Sequence, residues 1–178
     1  IKGIQFKKNI LNTTADPVLL NTLLNDLSKK RINNVILEAS SHGLKQHRLD
    51  GLKFDIGIFT NLSRDHLDYH KNYKDYLNSK LILFKKLMRK NSNVIFDDDI
   101  ELSIKVRKIA KKNKLKCSTI GSKKSNLKII DHKYVNFNQK LTFNYNNKIY
   151  EFSTSLIGKI QLKNLFMAIL ASLRSGLK

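Results

Sequence analysis

The chain has 178 residues, 41% of them hydrophobic, and a formal charge of +20 from 34 Lys and Arg against 14 Asp and Glu. That length allows one domain with a real core, and no apolar run approaches the roughly 20 residues of a membrane span. A lone Cys117 excludes an intramolecular disulfide and a cysteine-based zinc site, and it fits a reducing cytoplasm.

Asp16-Pro17 reads as a helix start, with Asp as N-cap and Pro at the first helical position. Leu19, Leu20, Leu23, Leu24 and Leu27 follow at helical spacing, and Lys29-Lys30-Arg31 suit the carboxyl end. A strand is expected over Asn34–Ala39, then a polar loop, then a strand over Phe54–Phe59. A helix is expected from about Tyr73 to Arg89, a short strand at Val94-Ile95-Phe96, a helix over Ile100–Lys112 and a strand over Cys117–Ile120. This alternation predicts a three-layer, mostly parallel α/β sheet. From Leu127 the texture changes to antiparallel strands at Leu127–Ile130, Leu141–Tyr145 and Lys148–Phe152, the last two joined by an Asn146-Asn147 turn. A helix from Gln161 to Ser175 closes the chain, with Gly176 as its cap.

A charge excess of this size raises nucleic-acid binding as one reading. The lysines are spread along the chain and no RNA or DNA motif accompanies them, so solvated lysine faces are the favoured reading. A positive field serving an anionic small substrate is a third. The opening IKGIQFKKN has neither an initiator Met nor the apolar stretch of a signal peptide, and the chain reads as a fragment.

Two polar stretches follow apolar runs: Glu38 to Asp50 after Val35-Ile36-Leu37, and Thr60 to His70 after Ile56 to Phe59. In open parallel sheets, ligands sit outside the carboxyl ends of the strands. The two strands are therefore expected to be neighbours or near neighbours, with Glu38 and Asn61 opening on one crevice. Lys80 is the local anomaly. On a helical wheel it falls within the apolar stripe formed by Tyr76, Leu77, Leu81 and Phe84. A buried lysine is costly unless paired or neutralised. On the wheel alone, a lysine snorkelling at the core edge and a functional lysine stand equal.

Read together, Asn12-Thr13-Thr14 with Asp16-Pro17, Glu38-Ala39-Ser40-Ser41-His42-Gly43-Leu44, Gln46-His47-Arg48, Phe59 through Asp68 (FTNLSRDHLD), Ser79-Lys80, Leu156-Ile157-Gly158 and Asn164-Leu165 resemble the Mur ligases. The likeness is to the central domain of the MurE-type UDP-N-acetylmuramoyl-tripeptide synthetases, and it runs in order across nearly the whole chain. The resemblance implies a P-loop-like fold and an ATP-dependent ligase of peptidoglycan synthesis. Such a ligase phosphorylates the carboxylate of UDP-N-acetylmuramoyl-L-alanyl-D-glutamate, and an amino acid, diaminopimelate or lysine, then attacks the acyl phosphate. It implies that Thr13, Thr14, Ser40, Gln46 and Arg48 hold the UDP-muramyl dipeptide, and hydroxyls, an amide and a guanidinium suit such a ligand. Glu38 and His66 match Mg2+ ligands, and Lys80 matches a lysine carbamylated to an anion at the same metal. Asn61 and Asn164 match nucleotide contacts. His42, His47 and His70 are assigned no chemistry. Asp65 and Asp68 read as turn or capping residues, and Asp97-Asp98-Asp99 departs from the family pattern and is left out of the site.

The family's glycine-rich phosphate loop ending in Gly-Lys-Thr does not occur in these residues; Gly158-Lys159 is followed by Ile160. Residues 1–178 are therefore expected to be a central domain without that loop, its uridine-binding amino-terminal domain or its amino-acid-selecting carboxyl-terminal domain. The parent would be the cytoplasmic enzyme, and this piece alone inactive. Two further readings are a different Mur-like amide ligase of the folylpolyglutamate or cyanophycin type, and a basic nucleic-acid-binding module. The SSHGL and QHR blocks argue against the first.

Overall fold

Residues 13–62, 69–122 and 124–176 are described by a computed structural model. They divide into two compact units, one from 13–52 and 69–83, the other from 53–62 and 84–176.

The first unit is helical. Helix α1 spans Pro17–Lys29, and the Asp16 carboxylate caps it by accepting from the amides of Val18 and Leu19. Helix α2 is only five residues, Ser41–Lys45, with Ser40 as its N-cap accepting from the Gly43 amide. Helix α3, Tyr73–Ile82, is capped by Asn72, which accepts from the Asp75 amide.

The expected strand over 34–39 is a correction. The segment forms no strand ladder with any described residue. Val35, Ile36 and Leu37 instead line an open groove with Leu20, Leu23, Leu24 and Leu27 of α1. Ile36 is 98% exposed, so its apolar character is not satisfied by the described residues. An apolar run reports a tendency to bury, and ladder formation also needs a partner edge. The expectation that Glu38 and Asn61 share a crevice rested on that strand, and the two residues lie in different units.

The second unit carries a six-stranded sheet in the order β1 to β6: Phe54–Phe59, Met88–Asp97, Lys116–Gly121, Leu127–Val135, Asn138–Tyr145 and Lys148–Thr154. The first four strands are parallel, and β4, β5 and β6 pair antiparallel. Asn146 and Asn147, at φ of 51° and 62°, make the β5–β6 turn, as short polar side chains tolerate. Helix α4 is Ser103–Lys112 and helix α5 is Lys159–Arg174. Ile95 packs with Phe166, Met167 and Leu170 of α5, while the Arg107 guanidinium of α4 lies 5.3 Å from the Phe96 ring. Adjacent residues on a strand face opposite ways, so α4 and α5 cover opposite faces, and the unit has three layers. Gly57 has no room for a Cβ, which would meet Met88 Sδ at 2.8 Å.

The helix expected to reach Arg89 ends earlier. It passes into a π-helical turn at Leu83–Leu87, and Met88 already belongs to β2. The apolar spacing of Leu83, Phe84, Leu87 and Met88 continues the helical period, and spacing does not register a change in hydrogen-bond partner.

Phe166 is fully buried, with its ring edge-on to Phe143 at 5.2 Å and Phe152 at 5.9 Å. Phe166→Ala is expected to cost about 3–5 kcal/mol in urea unfolding. Ile149→Ala, at a residue 67% exposed, is expected to stay within about 0.5 kcal/mol. Equal effects would contradict this core.

Candidate functional site

The loop before α1 and the turn into α2 meet through one side chain. Thr14, only 3% exposed, donates its hydroxyl proton to the Glu38 carbonyl at 2.8 Å and accepts from the Ser40 amide at 3.1 Å. Its Oγ1 also lies 2.9 Å from Ser40 Oγ. With the Thr14 proton committed to Glu38, Ser40 is the donor in that pair. The Thr14 carbonyl in turn accepts from Arg48 Nη1 at 2.7 Å. Thr14, Ser40 and Arg48 are thus assembled around one point, and Glu38 is fixed by its backbone. Gly43 is required beneath them, because a Cβ there would come within 2.7 Å of the Thr14 side chain.

Among the described residues one Arg48 N–H is committed, and a guanidinium carries five donors, which leaves it able to grip a carboxylate or phosphate. Thr13 is exposed. Gln46 is exposed too, and its amide donates to Tyr69 Oη at 3.0 Å. Glu38 is exposed, whereas Lys80 is half-buried with Nζ 5.3 Å from the Tyr76 ring centroid. Burial pushes the Lys80 amine below its ordinary pKa, and the negative charge of Glu38 opposes that shift. The Glu38 carboxylate is thus near enough for its charge to act on Lys80. His66, expected at the same metal, lies outside the described residues. Among the described residues, no three His, Cys, Asp or Glu side chains cluster as a metal site.

In the second unit, Asn61 is exposed just beyond β1. Asn164, on α5, has its Oδ1 buried without a hydrogen-bond partner among the described residues. Such an orphaned acceptor is the kind of atom a ligand amino group satisfies. Asp97, left out of the expected site, is 1% exposed and paired with Lys163, and Asp98 holds Arg107 through two bonds. These carboxylates are engaged within the fold.

A second cluster was not read from the sequence. His70 is 1% exposed, and its Nε2 lies 2.9 Å from Ser41 Oγ. Its Nδ1 is 3.5 Å from Asp75 Oδ2, and Asp75 Oδ2 is also 2.5 Å from Lys45 Nζ. Burial holds the imidazole below its ordinary pKa, opposed by Asp75. A histidine in a polar loop has no periodicity to reveal it. Its position just before the Asn72 cap is the one available signal.

Residues 1–172 match the Mur ligase middle domain. A UDP-N-acetylmuramoyl-L-alanyl-D-glutamate--2,6-diaminopimelate ligase from Chelativorans sp. (strain BNC1) is 36% identical over 165 residues, which is 93% of this chain and 34% of that protein. The ligase of the same name from Rickettsia montanensis is 37% identical over 164 residues, 92% of this chain and 34% of its own. A solved structure of a ligase of this name superposes with a TM-score of 0.82 at 28% identity, covering 92% of this chain and 34% of that one. The chain spans about a third of the length of the curated relatives it matches.

Thr14→Val keeps the shape and removes the hydroxyl, leaving the Ser40 amide and the Glu38 carbonyl without a partner. The expected loss is roughly 1–3 kcal/mol in chemical unfolding, against less than about 0.5 kcal/mol for Thr13→Val at its exposed neighbour. Equal losses would remove Thr14 from the centre of the turn.

Proposed function

The chain belongs to the Mur ligase family, whose middle domain it matches over residues 1–172, and on that basis we propose that its full-length protein is an ATP-dependent ligase of peptidoglycan synthesis. Its substrates are UDP-N-acetylmuramoyl-L-alanyl-D-glutamate, ATP and an amino acid. Diaminopimelate is favoured over lysine by the names of the relatives. The cytoplasm suits ATP and a UDP-linked substrate, and the free Cys117 agrees with it.

The observation that carries the reading is half-buried Lys80, whose amine burial pushes toward the neutral form while the Glu38 charge acts on it. A lysine whose charged form burial disfavours has more of the neutral amine that a carbamate requires. The carbamate and the Glu38 carboxylate are both hard oxygen donors, as Mg2+ prefers. The donor set therefore fits the metal, with His66 as the third residue named by the family pattern. Bound Mg2+ would supply the positive charge that neutralises phosphate oxygens during transfer. Arg48, anchored by the Thr14 carbonyl, turns its remaining donors to a substrate carboxylate. Ser40, whose hydroxyl proton goes to Thr14 and one of whose lone pairs caps the Gly43 amide, retains one lone pair for a ligand amide. Thr14 is buried with its proton engaged, so its part is to place Ser40 and Arg48. Asn164 Oδ1 offers an acceptor to the adenine amino group.

In the full-length protein, Lys80→Ala is expected to lower ligation by at least about 100-fold with the unfolding midpoint little changed. Isotopically labelled bicarbonate should give a carbamate signal in the wild type that this variant lacks. Arg48→Lys should raise the Michaelis constant for the UDP-muramyl dipeptide and leave that for ATP unchanged, because lysine replaces a planar fork with a point charge. Near-normal turnover of Lys80→Ala would reduce Lys80 to a core-edge residue.

A further inference from the structure

We propose that His70, through its link to Ser41, is a positioning residue that locks α2 in place and so sets the pose of Ser40, Gln46 and Arg48 toward the substrate. This rests on the ligase reading above and adds to it a residue with no part in that reading's contacts.

The argument starts from the length of α2. Five residues do not sustain a helix by themselves, because helix nucleation is unfavourable and the reward comes only with added length. Its position must be fixed by side chains. Three links do this from one side. Ser41 Oγ meets His70 Nε2 at 2.9 Å, Lys45 Nζ meets Asp75 Oδ2 at 2.5 Å, and Gln46 Nε2 donates to Tyr69 Oη at 3.0 Å. Residues 69, 70 and 75 surround the start of α3, so both ends of α2 are tied to one short stretch. Thr14 holds the other side through Ser40 and Arg48. The adjacent serines, Ser40 and Ser41, face these two supports in turn.

The chemistry of His70 decides which way the protons run. Nδ1 lies 3.5 Å from Asp75 Oδ2, a charge contact without hydrogen-bond geometry among the described residues, and the carboxylate favours a hydrogen there over a lone pair, which it would repel. Nε2 is then bare and accepts the Ser41 hydroxyl proton. The charged groups facing the ring are Asp75 on α3 and Lys45 and His42 on α2. Tyr76 stacks on it at 5.0 Å, with Tyr69 edge-on at 5.1 Å. Protonating Nε2 makes Ser41 give up its donor role and turn its hydrogen away, and it puts a second positive charge beside Lys45 in a buried setting. Burial lowers the imidazole pKa below its ordinary 6.5, so the unfolded chain binds more protons in the window just under that value. Stability and the pose of α2 therefore both weaken as the pH falls through it.

The test uses the full-length protein. His70→Phe fills the space and offers no acceptor, while His70→Gln returns an oxygen near the Nε2 position. The expected result for Phe is a Michaelis constant for the UDP-muramyl dipeptide raised roughly tenfold or more, with that for ATP unchanged. Gln should recover most of the loss. In the wild type this constant should rise as the pH drops below 6.5, and in the Gln variant it should not. Ser41→Ala should reproduce the Phe effect, and adding it to His70→Phe should bring little more, since both remove one link. Phe and Gln variants equally impaired, an unchanged constant, or additive losses would overturn the proposal. Nitrogen NMR reads the tautomer without any turnover, and a hydrogen on Nε2 at neutral pH would overturn it regardless of activity. A wild type that does not ligate the UDP-muramyl dipeptide would sink the ligase reading instead, and the tautomer would still decide the network.

Discussion

Thr14 donates to the Glu38 carbonyl and accepts from the Ser40 amide, so one buried hydroxyl joins the loop before α1 to a turn 26 residues later. The first unit depends on that link. The segment between α1 and α2 has no ladder among the described residues to hold it, and the carbonyl of the same threonine aims the Arg48 guanidinium. The arrangement costs the protein the hydroxyl as a free ligand group, because its proton is committed. It gains a fixed backbone at Glu38, the residue whose negative charge acts on Lys80. A buried hydroxyl with both roles satisfied is far stiffer than a loop held by solvent.

Local signals in the sequence were read well where one side chain determines one backbone feature. Asp16-Pro17 marked the start of α1, and Asn146-Asn147 marked the β5–β6 turn. The mostly parallel sheet with an antiparallel end and a closing helix was also legible, because β1, β3 and α5 each carry the expected period. Signals failed where partners decide the outcome. The first part of β2, Arg89-Lys90-Asn91-Ser92, is exposed or polar and shows no apolar run, so only Val94 to Phe96 was visible. Residues 34–37 have the run and no described ladder. Within the site, the family resemblance named Ser40 and Arg48, and the helical wheel singled out Lys80. They could not show that Thr14 is spent internally, or that His70 is buried against Ser41, since both facts depend on contacts across 24 or more residues.

The second unit separates scaffold from reactive groups differently. Its carboxylates at the end of β2 are engaged, Asp97 by Lys163 and Asp98 by Arg107, so that end is held rigid by charge pairs with little left to offer a ligand. Asn164 lies on the next residue after Lys163, and its buried Oδ1 has no described partner. The same helix turn thus carries one satisfied and one unsatisfied group. A buried acceptor without a partner among the described residues is costly, and on the proposed reading a ligand amino group would offset that cost.

Lys80 poses the sharpest electrostatic problem. As an ammonium it is opposed by burial and favoured by Glu38, and the two influences pull its pKa in opposite directions. On the proposed reading, carbamylation reverses the sign at this position. Glu38, which stabilised the ammonium, then repels the carbamate, and two anions near one another in a half-buried setting are mutually destabilising. A divalent cation removes that conflict, because its charge exceeds either partner's and both supply the oxygen atoms it prefers. Carbamate formation and metal binding must therefore be linked: each raises the affinity for the other by the same factor. On that same proposed reading, the apolar stripe of α3 would tolerate Lys80 because the residue has two forms, an ammonium favoured by the Glu38 charge and a carbamate that a divalent cation would hold. A permanently charged arginine has no neutral amine for the second form and could occupy only the first.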